Sequence, residues 1–167
     1  AWPLLVVGCA AVAAAWFYTG GPRPYAYTGV GLSEAMVFVF FGLVACVGTA
    51  WTQAATAPWW LWTSASALGL LSIALLMANN IRDIPTDRAT GKRTLAVRLG
   101  DPASRWVYAV CAVAPVPAMG ALSAGLGLAW QSTAALVAVC CGWSFLVIAP
   151  VATGAAGRAV RGPRHQG

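Results

Sequence analysis

Five apolar stretches, separated by short polar ones, predict an all-α polytopic membrane helical bundle. Three observations carry that prediction. Sixty per cent of the 167 residues are apolar and only 8% are charged. Mean hydropathy is +0.74, far above that of ordinary soluble domains. Each stretch approaches the roughly 20 residues that a helix needs to cross a hydrocarbon core, and none contains a charged residue. A membrane β-barrel is a poor alternative, because its strands alternate apolar and polar residues and these do not.

The expected spans are residues 2–18, 35–56, 59–78, 106–122 and 133–151, with a polar tail over 152–167. The first has no basic residues before it and so does not read as a signal peptide. The chain starts without Met and almost inside a span. It is therefore expected to be the C-terminal portion of a longer protein, one partial membrane domain over 1–167. Small residues recur in every span, which lets helices approach closely. Pro115 and Pro117 predict a kink in the fourth span. Cys9, Cys46, Cys111, Cys140 and Cys141 all fall inside spans at spacings that fit no zinc or disulfide framework. They are expected to be small buried apolar residues. His165 stands alone in the tail and is no metal site.

Charge orders the connections. Arg23 and Glu34 fall between the first two spans, at 19–34. The connection at 79–105 holds Arg82, Asp83, Asp87, Arg88, Lys92, Arg93, Arg98, Asp101 and Arg105. Arg158, Arg161 and Arg164 lie in the tail. The connections at about 52–58 and 123–132 hold no charge. With five helices the three charged segments lie on one side of the membrane, and the positive-inside rule makes that side cytoplasmic. Topology accounts for the basic residues. It leaves Asp83 and Asp87 unexplained, because acids contribute little to orientation.

Asp83 and Asp87 stand four apart, the spacing that shares a helix face. Pro85 interrupts them. Ile84, before proline, is biased away from helix, and proline suits the start of a new one. The third helix is thus expected to end near Asp83, with a short helical turn starting at Pro85. Carboxylates beside the amides of Asn79 and Asn80 suit Mg²⁺, which shares its coordination with water and phosphate oxygens. Arg82, Arg88, Lys92 and Arg93 suit the remaining phosphate oxygens. Gly91 lets the chain turn and bring Lys92 round. A solvated loop of paired charges, with the asparagines capping the helix, fits the same spacing. YTGGPRPYAYTG, from Tyr18, is either a second anion-facing segment through Arg23 or a turn-rich connector with interfacial tyrosines.

NNIRDIPTDRATGKRTLAVRLG, residues 79–100, closely resembles the second aspartate-rich motif of the UbiA superfamily of membrane prenyltransferases. Its form NNxRD…D…GKxTLAVxLG is most similar to the branch that uses 1,4-dihydroxy-2-naphthoate in menaquinone biosynthesis. YTGGPRPYAYTGVG and EAMVFVFFGLVACVGTAW resemble that family's loop and fifth helix, so the resemblance covers most of residues 16–100 and is weaker beyond. It implies a nine-helix fold around a central cavity, of which the five spans would be helices four to eight. Two aspartate-rich motifs then face each other and bind a diphosphate through Mg²⁺. On the matching positions, Asp83 and Asp87 become the catalytic metal–diphosphate ligands, supported by Asn79 and Asn80. Lys92 and Arg23 become diphosphate contacts, with Arg82, Arg88 and Arg93 as further ones. The first aspartate-rich motif has no counterpart in the chain, so the isolated polypeptide is expected to be inactive.

The implied reaction moves a polyprenyl group from polyprenyl diphosphate to 1,4-dihydroxy-2-naphthoate with loss of CO₂, giving demethylmenaquinone. The implied partners are those two substrates and the lipid bilayer of the cytoplasmic membrane, with no nucleic acid among them. Another aromatic acceptor, such as 4-hydroxybenzoate, is the alternative within the superfamily. A transporter or structural subunit is the alternative outside it. A transporter should carry ionisable positions near mid-membrane, whereas here the charge gathers at one face.

Overall fold

A computed structural model describes residues 2–22, 24–129, 131–135, 137–139 and 141–142. Among these residues the chain is helical without strands, and four helices are long and apolar enough to cross a membrane. They cover Trp2–Thr19, Leu32–Ala54, Trp59–Ala89 and Asp101–Gly125. The expected fifth span, 133–151, is helical where described, up to 142. The rest of it, and the tail, lie outside the described residues.

Helix α1 (Trp2–Thr19) buries no residue of its own. It stops where the Gly20–Gly21–Pro22 run begins, and Gly21 takes φ +76, the left-handed geometry that closes helices cheaply. A 3₁₀ turn, Tyr25–Tyr27, comes next. Helix α2 (Leu32–Val37) runs through a π-helical segment, Phe38–Val44, into α3 (Ala45–Ala54). Ala55 closes α3 in the left-handed region, donating its N–H to Trp51 O at 2.9 Å. Shortly afterwards α4 (Trp59–Ala89) begins and packs back along the π segment.

The crossing is glycine against glycine. A Cβ on Gly42 would lie 2.6 Å from Gly69 Cα, and one on Gly69 would lie 2.6 Å from Phe38 Cδ2. Only glycine permits that approach, the small-residue packing expected within lipid.

Helix α4 is 31 residues long and differs from expectation. It neither ends near Asp83 nor restarts at Pro85, but runs unbroken to Ala89. Proline denies one donor to the carbonyl four residues back. Burial outweighs that loss: Ala74, Met77, Ile81 and Ile84 recur at spacings of three and four and form the core with Ala96, Tyr108, Cys111 and Ala112. Ile84 is held in helix by this packing despite the proline after it.

The connection at 79–105 is therefore mostly helix. Thr90 to Thr94 alone separate α4 from α5 (Leu95–Leu99), and Gly100 alone separates α5 from α6 (Asp101–Val113). Where Pro115 and Pro117 led to an expected kink, the helix assignment is interrupted at one residue: α6 ends at Val113 and α7 (Pro115–Gly125) starts after Ala114, which keeps helical dihedrals. The cysteines depart from expectation. Cys111 is buried, Cys46 is half-buried, and Cys9 and Cys141 are exposed, since they stand on helix faces that no described segment covers. Cys140 lies outside the described residues.

Candidate functional site: the charged end of the bundle

Continuous helix puts Asn79, Asp83 and Asp87 at successive intervals of four. Asn80 stands three before Asp83. All four share one face over the last turns of α4. Proline at 85 does not separate the two carboxylates.

The end of α4 then returns the chain over this face. Lys92 N–H donates to Asp87 O at 2.9 Å and Gly91 N–H to Arg88 O at 3.3 Å. Gly91 has φ +75. Those two bonds around a left-handed glycine are the Schellman closure. The turn carries Lys92 Nζ to 3.8 Å from Asp87 Oδ1 and to 5.3 Å from the centre of the Tyr27 ring. The expectation that Gly91 brings Lys92 round is met, and Tyr27 is a partner that sequence reasoning missed.

The carboxylates are unequal. Asp87 is buried, with 8% of its surface exposed. Asp83 is half-exposed and takes Arg82 in a two-point contact, Nε to Oδ1 at 2.9 Å and Nη2 to Oδ2 at 3.3 Å. An exposed pair of this kind contributes little to stability. Arg88, Arg93 and Asn79 are exposed and Asn80 is half-buried. None of the four makes a side-chain hydrogen bond or ion pair among the described residues. Arg23 lies outside the described residues.

A second set of bonds ties this end to the segment after α1. Thr94 caps α5, its Oγ1 accepting from Val97 N–H at 3.4 Å. The short α5 then aims Arg98 at the 3₁₀ turn, where Nη1 donates to Gly29 O at 3.3 Å. Gly29 has φ +65, and a Cβ there would meet Arg93 O at 2.6 Å and overlap the Arg98 stem. Ser104 Oγ donates to Gly100 O at 2.7 Å, fixing the step from α5 to α6, and Arg105 pairs with Asp101 in the first turn of α6. The segments at 19–34 and 79–105 thus meet at one end of the bundle.

Tyr25 holds α1 in place. Its hydroxyl donates to Ala14 O at 2.7 Å, its ring meets Tyr18 edge-to-face at 5.4 Å, and burial pushes its phenol up, so it remains a donor through neutral pH. Glu34, expected in the loop, is instead a buried residue of α2.

Two apolar cavities, of about 610 and about 650 Å³, lie between α1 and the α2–α3 helix and share Val44 and Ala45. One reaches Tyr18 and Tyr25 at the charged end. The other reaches Trp51 and Trp62.

No three His, Cys, Asp or Glu side chains cluster among the described residues. The face offers two carboxylates and two amides. That set suits a hard cation whose remaining positions are filled by a phosphate and water. It does not suit a cage built by protein alone.

Several known proteins are similar to this chain in sequence. A protein of Mycobacterium tuberculosis named 1,4-dihydroxy-2-naphthoate octaprenyltransferase is 53% identical over 105 residues, 63% of this chain and 35% of the relative. The Escherichia coli protein of the same name is 37% identical over 148 residues, 88% of this chain and 44% of the relative. A Synechocystis 2-carboxy-1,4-naphthoquinone phytyltransferase is 27% identical over 99 residues, 59% of this chain and 32% of the relative. The chain thus spans less than half the length of these relatives. No solved structure matches it. The family description that fits residues 1–160 is that of the UbiA prenyltransferases, and with a match over nearly its whole length the chain belongs to the UbiA prenyltransferase family.

Proposed function

We propose that the intact protein transfers a polyprenyl group from polyprenyl diphosphate to 1,4-dihydroxy-2-naphthoate, with loss of CO₂. The product is demethylmenaquinone. The observation that carries this reading is the pair Asp83 and Asp87, on one uninterrupted helix face, with Lys92 folded back over the second.

Asp83 and Asp87, with the amide oxygens of Asn79 and Asn80 a turn earlier, would hold a divalent cation, Mg²⁺ in this reading. When bound, that cation neutralises the charge that develops on the departing diphosphate. Lys92 is held near its working position by Asp87 and Tyr27, so little rearrangement is needed for its ammonium to meet a phosphate oxygen. Arg82 is available once a cation takes its place on Asp83. Arg88 and Arg93 are unpaired among the described residues, and Arg23 lies outside them. All four are assigned to the remaining diphosphate oxygens. The apolar cavities along α1 and α3 suit an isoprenoid tail, which needs shelter from water and no hydrogen bonds. In this reading the charged end faces the cytoplasm, by the positive-inside rule, and 1–167 is part of a single membrane domain.

The test is transfer in membranes. The intact protein, given labelled polyprenyl diphosphate and Mg²⁺, is expected to prenylate 1,4-dihydroxy-2-naphthoate with release of CO₂. A chelator should abolish transfer. Preference for 4-hydroxybenzoate, or transfer undiminished by chelation, would contradict the assignment.

A further inference from the structure

Lys92 is the one lysine in the chain, and its side chain is 44% exposed. Among the described residues its ammonium has two partners. One is the Asp87 carboxylate, at 3.8 Å. That is beyond hydrogen-bond distance, so the tie is charge attraction alone. The other is the face of the Tyr27 ring, whose centre lies 5.3 Å away, within the range of a cation–π contact.

The ring is itself held in place. Tyr27 N–H donates to Pro24 O at 3.2 Å, closing the 3₁₀ turn. Ala26 before it is buried. Thr28 after it donates both its N–H and its hydroxyl to Tyr25 O, at 3.3 and 2.8 Å. Arg98 then fastens Gly29 O from α5. The backbone is braced on both sides of the ring, so the ring is a fixed surface and the flexible lysine stem is the part that moves.

The two partners differ in what else they can hold. Asp87 is one of the carboxylates assigned to the divalent cation. A cation there neutralises the carboxylate and repels the ammonium. The ring face offers no oxygen, and Mg²⁺ keeps oxygen ligands and gives up water reluctantly, so it does not compete for that face. The tie to Asp87 is weakened in the state in which a diphosphate has to be met, and the tie to Tyr27 persists.

We propose that Tyr27 is the positioning residue for Lys92 once a cation occupies Asp87, its ring face keeping the ammonium at the site instead of free in water. The inference rests on the metal–diphosphate reading of Asp87 and deepens it. It divides the ligands, carboxylate to metal and ring to lysine. It also makes the segment after α1 part of the site through an aromatic face.

The experiment uses the intact protein in membranes as wild type, Tyr27→Phe, Tyr27→Leu, Lys92→Ala and the double variant Lys92→Ala with Tyr27→Leu. Its first readout is the rate at which a water-soluble amine reagent modifies Lys92, followed on the peptide by mass spectrometry, in Mg²⁺ without either substrate. Its second is turnover. Tyr27→Leu is expected to speed modification and to lower turnover, each about two- to fivefold. Tyr27→Phe, which keeps a ring face, should match wild type in both. In the Lys92→Ala background, Tyr27→Leu should lower turnover no further. Wild-type modification and turnover in Tyr27→Leu would overturn the proposal. So would Tyr27→Phe behaving as Tyr27→Leu, or an undiminished loss from Tyr27→Leu in the Lys92→Ala background, which makes Tyr27 a purely structural residue. Should Tyr27→Leu fail to accumulate, a phenylalanine carrying three ring fluorines at position 27 decides, because it keeps the ring's shape and removes its negative face. Faster Lys92 modification then supports the proposal, and an unchanged rate overturns it. Modification involves no substrate, so it judges Tyr27 separately from the reaction. A wild type inactive on dihydroxynaphthoate removes the transfer reading and leaves the modification rates to decide the hold on Lys92.

Discussion

The junction of α4, α5 and α6 and the helix α1 are held in different ways. At the junction a buried core from three helices is overlaid by the Schellman turn at Gly91, the cap at Thr94 and the Arg98 contact with Gly29. Helix α1 buries no residue and is joined to its neighbours largely through Tyr25. Placed charges need a rigid frame, because a carboxylate displaced by an ångström no longer shares a ligand with its neighbour. A cavity wall for an apolar guest has no such requirement. The chain concentrates its ties at the end where the metal–diphosphate site is proposed.

Substitutions at the two places should separate along that line. Apart from the two carboxylates themselves, the largest effect is expected at Lys92. Lys92→Ala should lower turnover by about 10²-fold, measured in membranes at saturating acceptor, with little change in the amount of folded protein. An equal loss of folded protein would make Lys92 a structural residue.

Gly29→Ala is next. A left-handed residue with a Cβ costs roughly 1–2 kcal/mol, and overlap with Arg93 O and the Arg98 stem adds to it. Thermal unfolding of the intact protein in detergent should move down, and proteolysis should begin near residues 25–31. Arg98→Ala removes the opposite half of the same clasp and should cost about 1 kcal/mol, with the same cleavage pattern in weaker form. A fully additive double variant would show that the two residues do not act as one contact.

The smallest effect belongs to α1. Val12→Ala, on a face that is exposed in the described structure, should change stability by less than about 0.5 kcal/mol. A loss several times larger would mean that α1 is packed as firmly as the junction.

The sequence reported some of this arrangement and hid the rest for physical reasons. Four of the five expected spans were legible because apolar length alone defines them, and the interruption before Pro115 because proline acts locally. Asp83 and Asp87 were legible as a pair from spacing. The helix through Pro85 was not, because the packing of Ile81 and Ile84 against α6 overrides a local preference, and packing partners far along the chain leave no mark beside the proline. Arg98 and Gly29 stand 69 residues apart, so nothing near either announces the contact. Tyr27 was hidden in a run that read equally well as interfacial tyrosines. Glu34 did leave a sign, an acid directly before a long apolar run, but only the structure shows it buried.

The central claim is that Asp83 and Asp87 act together to hold a cation on a diphosphate. Its most direct test is Mg²⁺-dependent prenyl transfer by the intact protein carrying Asp83→Asn, Asp87→Asn or both. Each single change is expected to reduce turnover by about 10²–10³-fold or more, with the double variant little worse than either and membrane insertion unaffected. Near-normal turnover in either single variant, at the same Mg²⁺ concentration, would contradict the account.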